Sequence, residues 1–243
     1  MKIRYLGILL IVITITACFK NLDPPVETEH FEPFVFAEEW YNDNPISFSH
    51  PEVGQMSSYV FYRARQYADD EVFDNFEYKK VIVSMIIAEE DENGFIIEEV
   101  LRPNSTETDA PGYEFGSTYQ YRMNVNEELK EVRFEFPGAP NDYFPNILFG
   151  DTALTLSLET FTHQKTEIIG WKPVLSGFQE TAFTTGYTLF NTTYDTLNID
   201  IRNMFMDEDA WGKTIVYSAN HGIVKTMTYG FDHGMGWDIT GEK

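Results

Sequence analysis

The chain has 243 residues, with 39 Asp and Glu against 17 Lys and Arg, and a formal net charge of −22. A chain this acidic repels nucleic-acid phosphates and anionic lipid head groups over a Debye length of about 10 Å, so neither is expected as a partner. Its single cysteine, Cys18, excludes an internal disulfide framework and a multi-cysteine zinc site.

The first element is a leader. Lys2 and Arg4 precede an apolar run from Leu6 to Thr16. A spanning helix needs about 20 apolar residues, whereas a secretory h-region needs only about 7–15. Ile15-Thr16-Ala17 before Cys18 resembles a lipobox, the processing site of bacterial lipoproteins. The resemblance implies cleavage before Cys18, lipidation of its thiol and anchoring in the outer membrane, on either its periplasmic or its cell-surface side. Two or three acyl chains anchor stably where one does not. The expected division is signal peptide 1–17, lipidated N-terminus and tether 18–45, one β-rich domain 46–230 and a C-terminal tail 231–243. Pro24, Pro25 and Pro33 suit an extended tether. Processing leaves 226 residues and removes two basic and no acidic side chains, taking the formal charge to −24.

The period beyond residue 50 is two. "SSYVFYRARQYADDEVF" (57–73) fits either a strand or a helical turn. "KKVIVSMIIA" (79–88) reads as a buried strand, and Asn93-Gly94 turns it back into "FIIEEVLR" (95–102). Alternation continues in "YQYRMNV" (119–125), "VRFEF" (132–136), "ALTLSLET" (153–160) and "TLNIDIRN" (196–203). "KTIVYS" and "GIVKTMTY" form a closing hairpin around Ala219-Asn220-His221-Gly222. Ile223 and Val224 cannot share one strand face, which predicts burial on both faces or a bulge at Gly222. Such alternation indicates an all-β fold, an antiparallel β-sandwich or a curved, partly open β-barrel with little helix.

Pro51, Val53, Gly54 and Tyr59, with Tyr217, Gly222, Ile223, Val224 and Lys225, resemble the opening and closing strands of a loose group of envelope lipoproteins, many from Bacteroidota. Ser57 stands near the place of that group's usual Trp. The resemblance implies a sheet curved around a hydrophobic concavity, as in lipoprotein-carrier-like half-barrels. It implies no shared activity.

Motifs with chemistry are few. Glu89, Asp91, Asn93 and Gly94 fit the start of a calcium loop, but Val100 stands where its bidentate acid belongs, so a plain hairpin is expected. Asp207, Glu208 and Asp209 in "MDEDAWG" offer oxygen ligands, with Asp207 and Asp209 the candidates. Adjacent acids do not face one point, so solvated loop acids are the default and no metal is expected. His30, His50, His163, His221 and His233 form no helical ligand pair. There is no Gly-x-Ser-x-Gly elbow, P-loop or dinucleotide fingerprint, and no cofactor is expected. "DTA" (151–153) and "DTL" (195–197) resemble the Asp-Ser/Thr-apolar O-glycan acceptor of Bacteroidota, which would place a sugar on Thr152 and Thr196.

The expected function is a non-enzymatic, membrane-anchored envelope lipoprotein whose β-module binds an apolar or glycan ligand or an envelope partner. Trp171, Trp211 and Trp237, read as lying beside loops, are the candidates for stacking on a sugar or lining an apolar cleft. The alternatives are a structural accessory subunit of an envelope complex, or a glycan hydrolase using two carboxylates about 5–10 Å apart.

Overall fold

The computed structural model describes residues 35–65, 75–102, 105, 118–135, 147, 153–159, 164–166, 168–169, 172–173, 179–206, 209–229 and 233–241. The chain divides into units Met1–Pro33 and Phe34–Lys243, and every described residue belongs to the second.

That unit is all-β. A 3-10 turn (Glu38–Trp40) precedes β1 (Met56–Arg65), β2 (Asn75–Asp91), β3 (Gly94–Leu101), β4 (Thr118–Asn126), β5 (Glu131–Glu135) and β6 (Ala153–Ser157). Short strands follow as β7 (Gln164–Lys165), β8 (Ile168–Ile169) and β9 (Lys172–Pro173). The chain ends with β10 (Gln179–Leu189), β11 (Thr192–Met206), β12 (Asp209–Ser218), β13 (Gly222–Tyr229) and β14 (His233–Ile239). A 12-stranded sheet has the order β6-β5-β4-β3-β2-β1-β14-β13-β12-β11-β10-β7, and β8 and β9 form a separate ribbon. The large sheet is antiparallel except where β7 pairs parallel with β10. It curls into a half-barrel.

Two meanders, β1 to β6 and β10 to β14, thus meet at one seam. There β14 lies between β13 and β1, with Tyr59 opposite Ile239 and Phe61 opposite Trp237. The segment 231–243, expected as a tail, instead supplies this strand. Its Gly234-Met235-Gly236 reads as a chain breaker, yet Gly236 is needed where it stands. A Cβ there would meet the Thr226 carbonyl oxygen and lie 2.7 Å from Tyr62 Cζ, because the Tyr62 ring lies across the glycine. Gly212 is likewise covered by the Tyr229 ring. Aromatic side chains laid over cross-strand glycines restore packing that the glycine itself cannot supply.

The remaining strands follow the hydrophobic period. In β5 and β6 the alternation buries Val132 and Phe134, and Leu154 and Leu156. The β2–β3 hairpin closes through Asp91, whose carboxylate accepts the Asn93 N–H at 2.7 Å and pairs with Arg122. It is a plain hairpin, and Gly94 takes φ 115° with no room for a Cβ beside Asn124. In the closing hairpin Ile223 and Val224 are both buried, and the register skips Val224 between the Tyr217–Ile223 and Val216–Lys225 pairs, so the irregularity lies there and not at Gly222, which pairs with Ser218. Residues 56–65 are strand rather than helix, which the pairing of Tyr59 and Val60 with Val83 and Ile82 explains.

Tyr217 on β12 donates its hydroxyl to the Ser157 carbonyl on β6, 2.8 Å away, although β6 is the far edge of the sheet. Those strands meet only across a concave face. Ile46 and Phe48 lie in the same core, with Phe48 edge-on to Phe134 at 5.9 Å between ring centres. The preceding Trp40 packs instead with Val60 and Ile82, on the other face of β1 and β2. The segment from Trp40 to Phe48 therefore wraps from the outer face to the inner one. It is pinned as it crosses by Asn42, which donates its N–H to the Gly241 carbonyl and accepts the Ser58 N–H.

Gly236→Ala is expected to destabilise the fold by at least about 1–3 kcal/mol, the usual range for overpacking. Urea unfolding of the purified protein checks this, and an unchanged midpoint would contradict the seam geometry.

Candidate functional site

One row of side chains crosses the outer face of the sheet. Following the pairings, it runs Ile82, Val60, Asp238, Lys225, Val216, Ile199, Ala182. All are buried, and the centre of this otherwise apolar row is an ion pair. Lys225 Nζ lies 2.6 Å from Asp238 Oδ1, with side chains 2% and 0% exposed. The two residues are direct partners on adjacent antiparallel strands, which holds their side chains side by side.

Aromatic rings enclose the pair. Lys225 Nζ sits 4.4 Å from the Tyr62 ring centre and 5.1 Å from that of Phe76. Tyr78 donates its hydroxyl to the other carboxylate oxygen, Asp238 Oδ2, at 2.7 Å. Phe190 stands 5.2 Å from Tyr78 and 4.4 Å from Phe36, and Phe36 is edge-on to Trp40. Burial pulls the Lys225 ammonium below its usual pKa, and Asp238 offsets only part of that shift. Burial, then the charge on Asp238, push the Tyr78 hydroxyl far above its ordinary value, so it stays protonated and donates.

A second buried acid, Glu99, lies on the inner face. Its Oε1 accepts the Ile147 N–H at 3.3 Å. Burial first, then the nearby Glu99 charge, raise the Tyr121 hydroxyl well above its usual pKa. Glu99 and Asp238 point to opposite faces of the sheet, so they do not flank a common bond in the way a glycosidase pair must. Asp200, also buried, is held by Arg202 at 2.9 Å.

The residues singled out in the sequence lie apart from this cluster or outside the described residues. Cys18, Thr152, Trp171 and Asp207 fall outside them. Trp211 and Asp209 belong to β12, where their backbones pair with Met204 and Met206. Thr196 is exposed, but within β11 opposite Thr185 and not at a strand start. Trp237 is fully buried in β14 at 5.1 Å from Phe61, a core residue and not one beside a loop. Among the described residues, no three His, Cys, Asp or Glu side chains converge to hold a metal ion.

Lys225, Tyr78 and Glu99 carry no sign of a site in the sequence, and Asp238 stands out there only as part of "FDHGMGWD", which gathers Asp232, His233 and Asp238 near Trp237 as a site rim or, by default, a tail. A lone Lys in "GIVKTMTY" reads as the wet side of a strand, and only the register reveals Asp238 opposite it. No family model, curated protein or solved structure matches the chain.

Asp238→Ala is expected to cost about 3–5 kcal/mol, because it strands a buried amine. Glu98→Ala, in a strand position that is not buried, should stay within about 0.5 kcal/mol. Denaturant midpoints compare the two, and equal midpoints would remove the pair from its central place.

Proposed function

We propose that the protein is a non-enzymatic lipoprotein, anchored in the outer membrane through Cys18, that engages an envelope partner through its surface. The observation that favours a surface role over an apolar cargo is the inner face of the half-barrel. Ile46 and Phe48 occupy it, and the Tyr217–Ser157 hydrogen bond spans it. An apolar ligand there would have to displace side chains that are about 1% exposed, at the cost of buried area worth about 25 cal/mol per Å².

The negative charge bears on the partner's chemistry. A net −24 after processing suits a neutral or cationic contact surface, with association that slows as salt rises. The opposed directions of Glu99 and Asp238 lend support to a non-enzymatic reading.

The test joins fractionation to ligand binding. Full-length protein should sediment with membranes, and Cys18→Ala should accumulate unprocessed or leave the membrane fraction. Detergent-free washed membranes carrying the protein should bind a fluorescent fatty-acid analogue no better than membranes lacking it. Unmodified, soluble wild-type protein would overturn the anchor. Saturable, stoichiometric uptake of the analogue would overturn the surface reading in favour of a carrier.

A further inference from the structure

The groups of an amide bond already stand together in the seam. Lys225 Nζ is 2.6 Å from Asp238 Oδ1, and Tyr78 Oη is 2.7 Å from Oδ2. Reacting atoms about 3–3.5 Å apart in a fixed arrangement are in near-attack geometry. A nitrogen in hydrogen-bond contact with one carboxylate oxygen sits near that distance from the carbon but close to the carboxylate plane, so bonding to Cγ requires Nζ to move above that plane. Both residues belong to regular strands in register, so no loop motion separates them.

The hydrogen-bond inventory fits an amide better than an ammonium. An ammonium has three N–H donors. Among the described residues, Lys225 Nζ meets one oxygen, Asp238 Oδ1, and otherwise the ring faces of Tyr62 and Phe76. An amide N–H needs one acceptor, and its carbonyl would keep the Tyr78 hydroxyl as donor. Leaving two full charges in an apolar row is costly, and a dry site favours neutral partners.

We propose that Lys225 and Asp238 condense spontaneously to an intramolecular isopeptide bond that staples β13 to β14. The atoms balance without a co-reactant. One proton passes from the Lys225 ammonium to Oδ1, giving an amine and a carboxylic acid. Nζ then bonds to Asp238 Cγ, and negative charge builds on Oδ2. The Tyr78 hydroxyl donates to that oxygen, at the distance at which oxyanion donors act. A second proton moves from nitrogen to Oδ1, the Cγ–Oδ1 bond breaks and one water leaves. The amide keeps one N–H and the Oδ2 carbonyl. The surroundings exclude the bulk water that would reverse the step, and the lowered basicity of the buried amine assists the first transfer. The staple would serve a chain that has no cysteine partner for a disulfide.

Trypsin and mass spectrometry read the bond directly on denatured full-length protein. Between Lys213 and Lys243 the only cleavable residue is Lys225. A ligated chain yields residues 214–243 as one species, uncut at Lys225 and lighter by one water than the linear peptide. Separate peptides 214–225 and 226–243, with no such species at any time after synthesis, would overturn the proposal. Tyr78→Phe, which keeps both reacting groups, should slow the appearance of the ligated species roughly 10²–10³-fold in a time course after synthesis. Equal rates would show that Tyr78 does not act on Oδ2 and would overturn that role. Asp238→Ala should abolish the species altogether, and its persistence there would assign the bond to another acid.

Discussion

The structure depends on β14 fitting between β13 and β1. Without it the sheet is two separate meanders, one from residues 56–157 and one from residues 179–229, each with a long raw edge. Exposed edges of that length template aggregation. The pairing that closes the seam joins Tyr59 to Ile239, close to the two ends of the domain. Contacts between such distant residues carry the largest loop-closure cost and form slowly, so they need strong local specification. The central row supplies it. A one-residue slip of β14 would move Asp238 off Lys225 and turn its side chain to the inner face. It would also place a side chain where the Tyr62 ring requires Gly236. A buried charge pair is poor evidence of net stability, but fixing register is its best-attested use.

The same arrangement explains how a short N-terminal segment caps both faces. Phe36 and Trp40 complete the aromatic cover of the outer row, while Ile46 and Phe48 enter the inner core. The turn between them is held at the end of the seam, where Thr240 donates its hydroxyl to the Trp40 carbonyl and Ser49 donates its N–H to the Ala219 carbonyl. The closing hairpin, the seam and the N-terminal cap thus share backbone contacts, and a fault in one loosens the others. A chain with a single cysteine has no internal disulfide to compensate.

Much of the sheet was readable because its alternation is clean. Val132 and Phe134, Leu154 and Leu156, and Tyr121 and Met123 each declare a face by period two. The closing hairpin declared itself by breaking the rule, since adjacent Ile223 and Val224 imply burial on both faces or a bulge, and the register leaves Val224, not Gly222, as the extra residue. What escaped depends on partners distant in sequence. Thr184, Thr185 and Gly186 gave β10 a polar, broken look, although Ala182 and Thr184 are buried against β11. The glycines of β14 read as a tail because the rings that cover them lie elsewhere in the chain. Trp237 looked like a loop residue for the same reason. Lys225 and Asp238 were hidden most deeply, since each alone is an ordinary charged residue and only cross-strand register makes them a pair.

Native-state amide hydrogen exchange, resolved by residue, tests the central role of the seam most directly. Backbone amides of β1, β13 and β14 near Val60, Lys225 and Asp238 should exchange only through global unfolding, together with the most protected amides of β2 and β12. Exchange of β14 by local opening, with β2–β5 still protected, would show that the sheet holds without its last strand and would contradict the account.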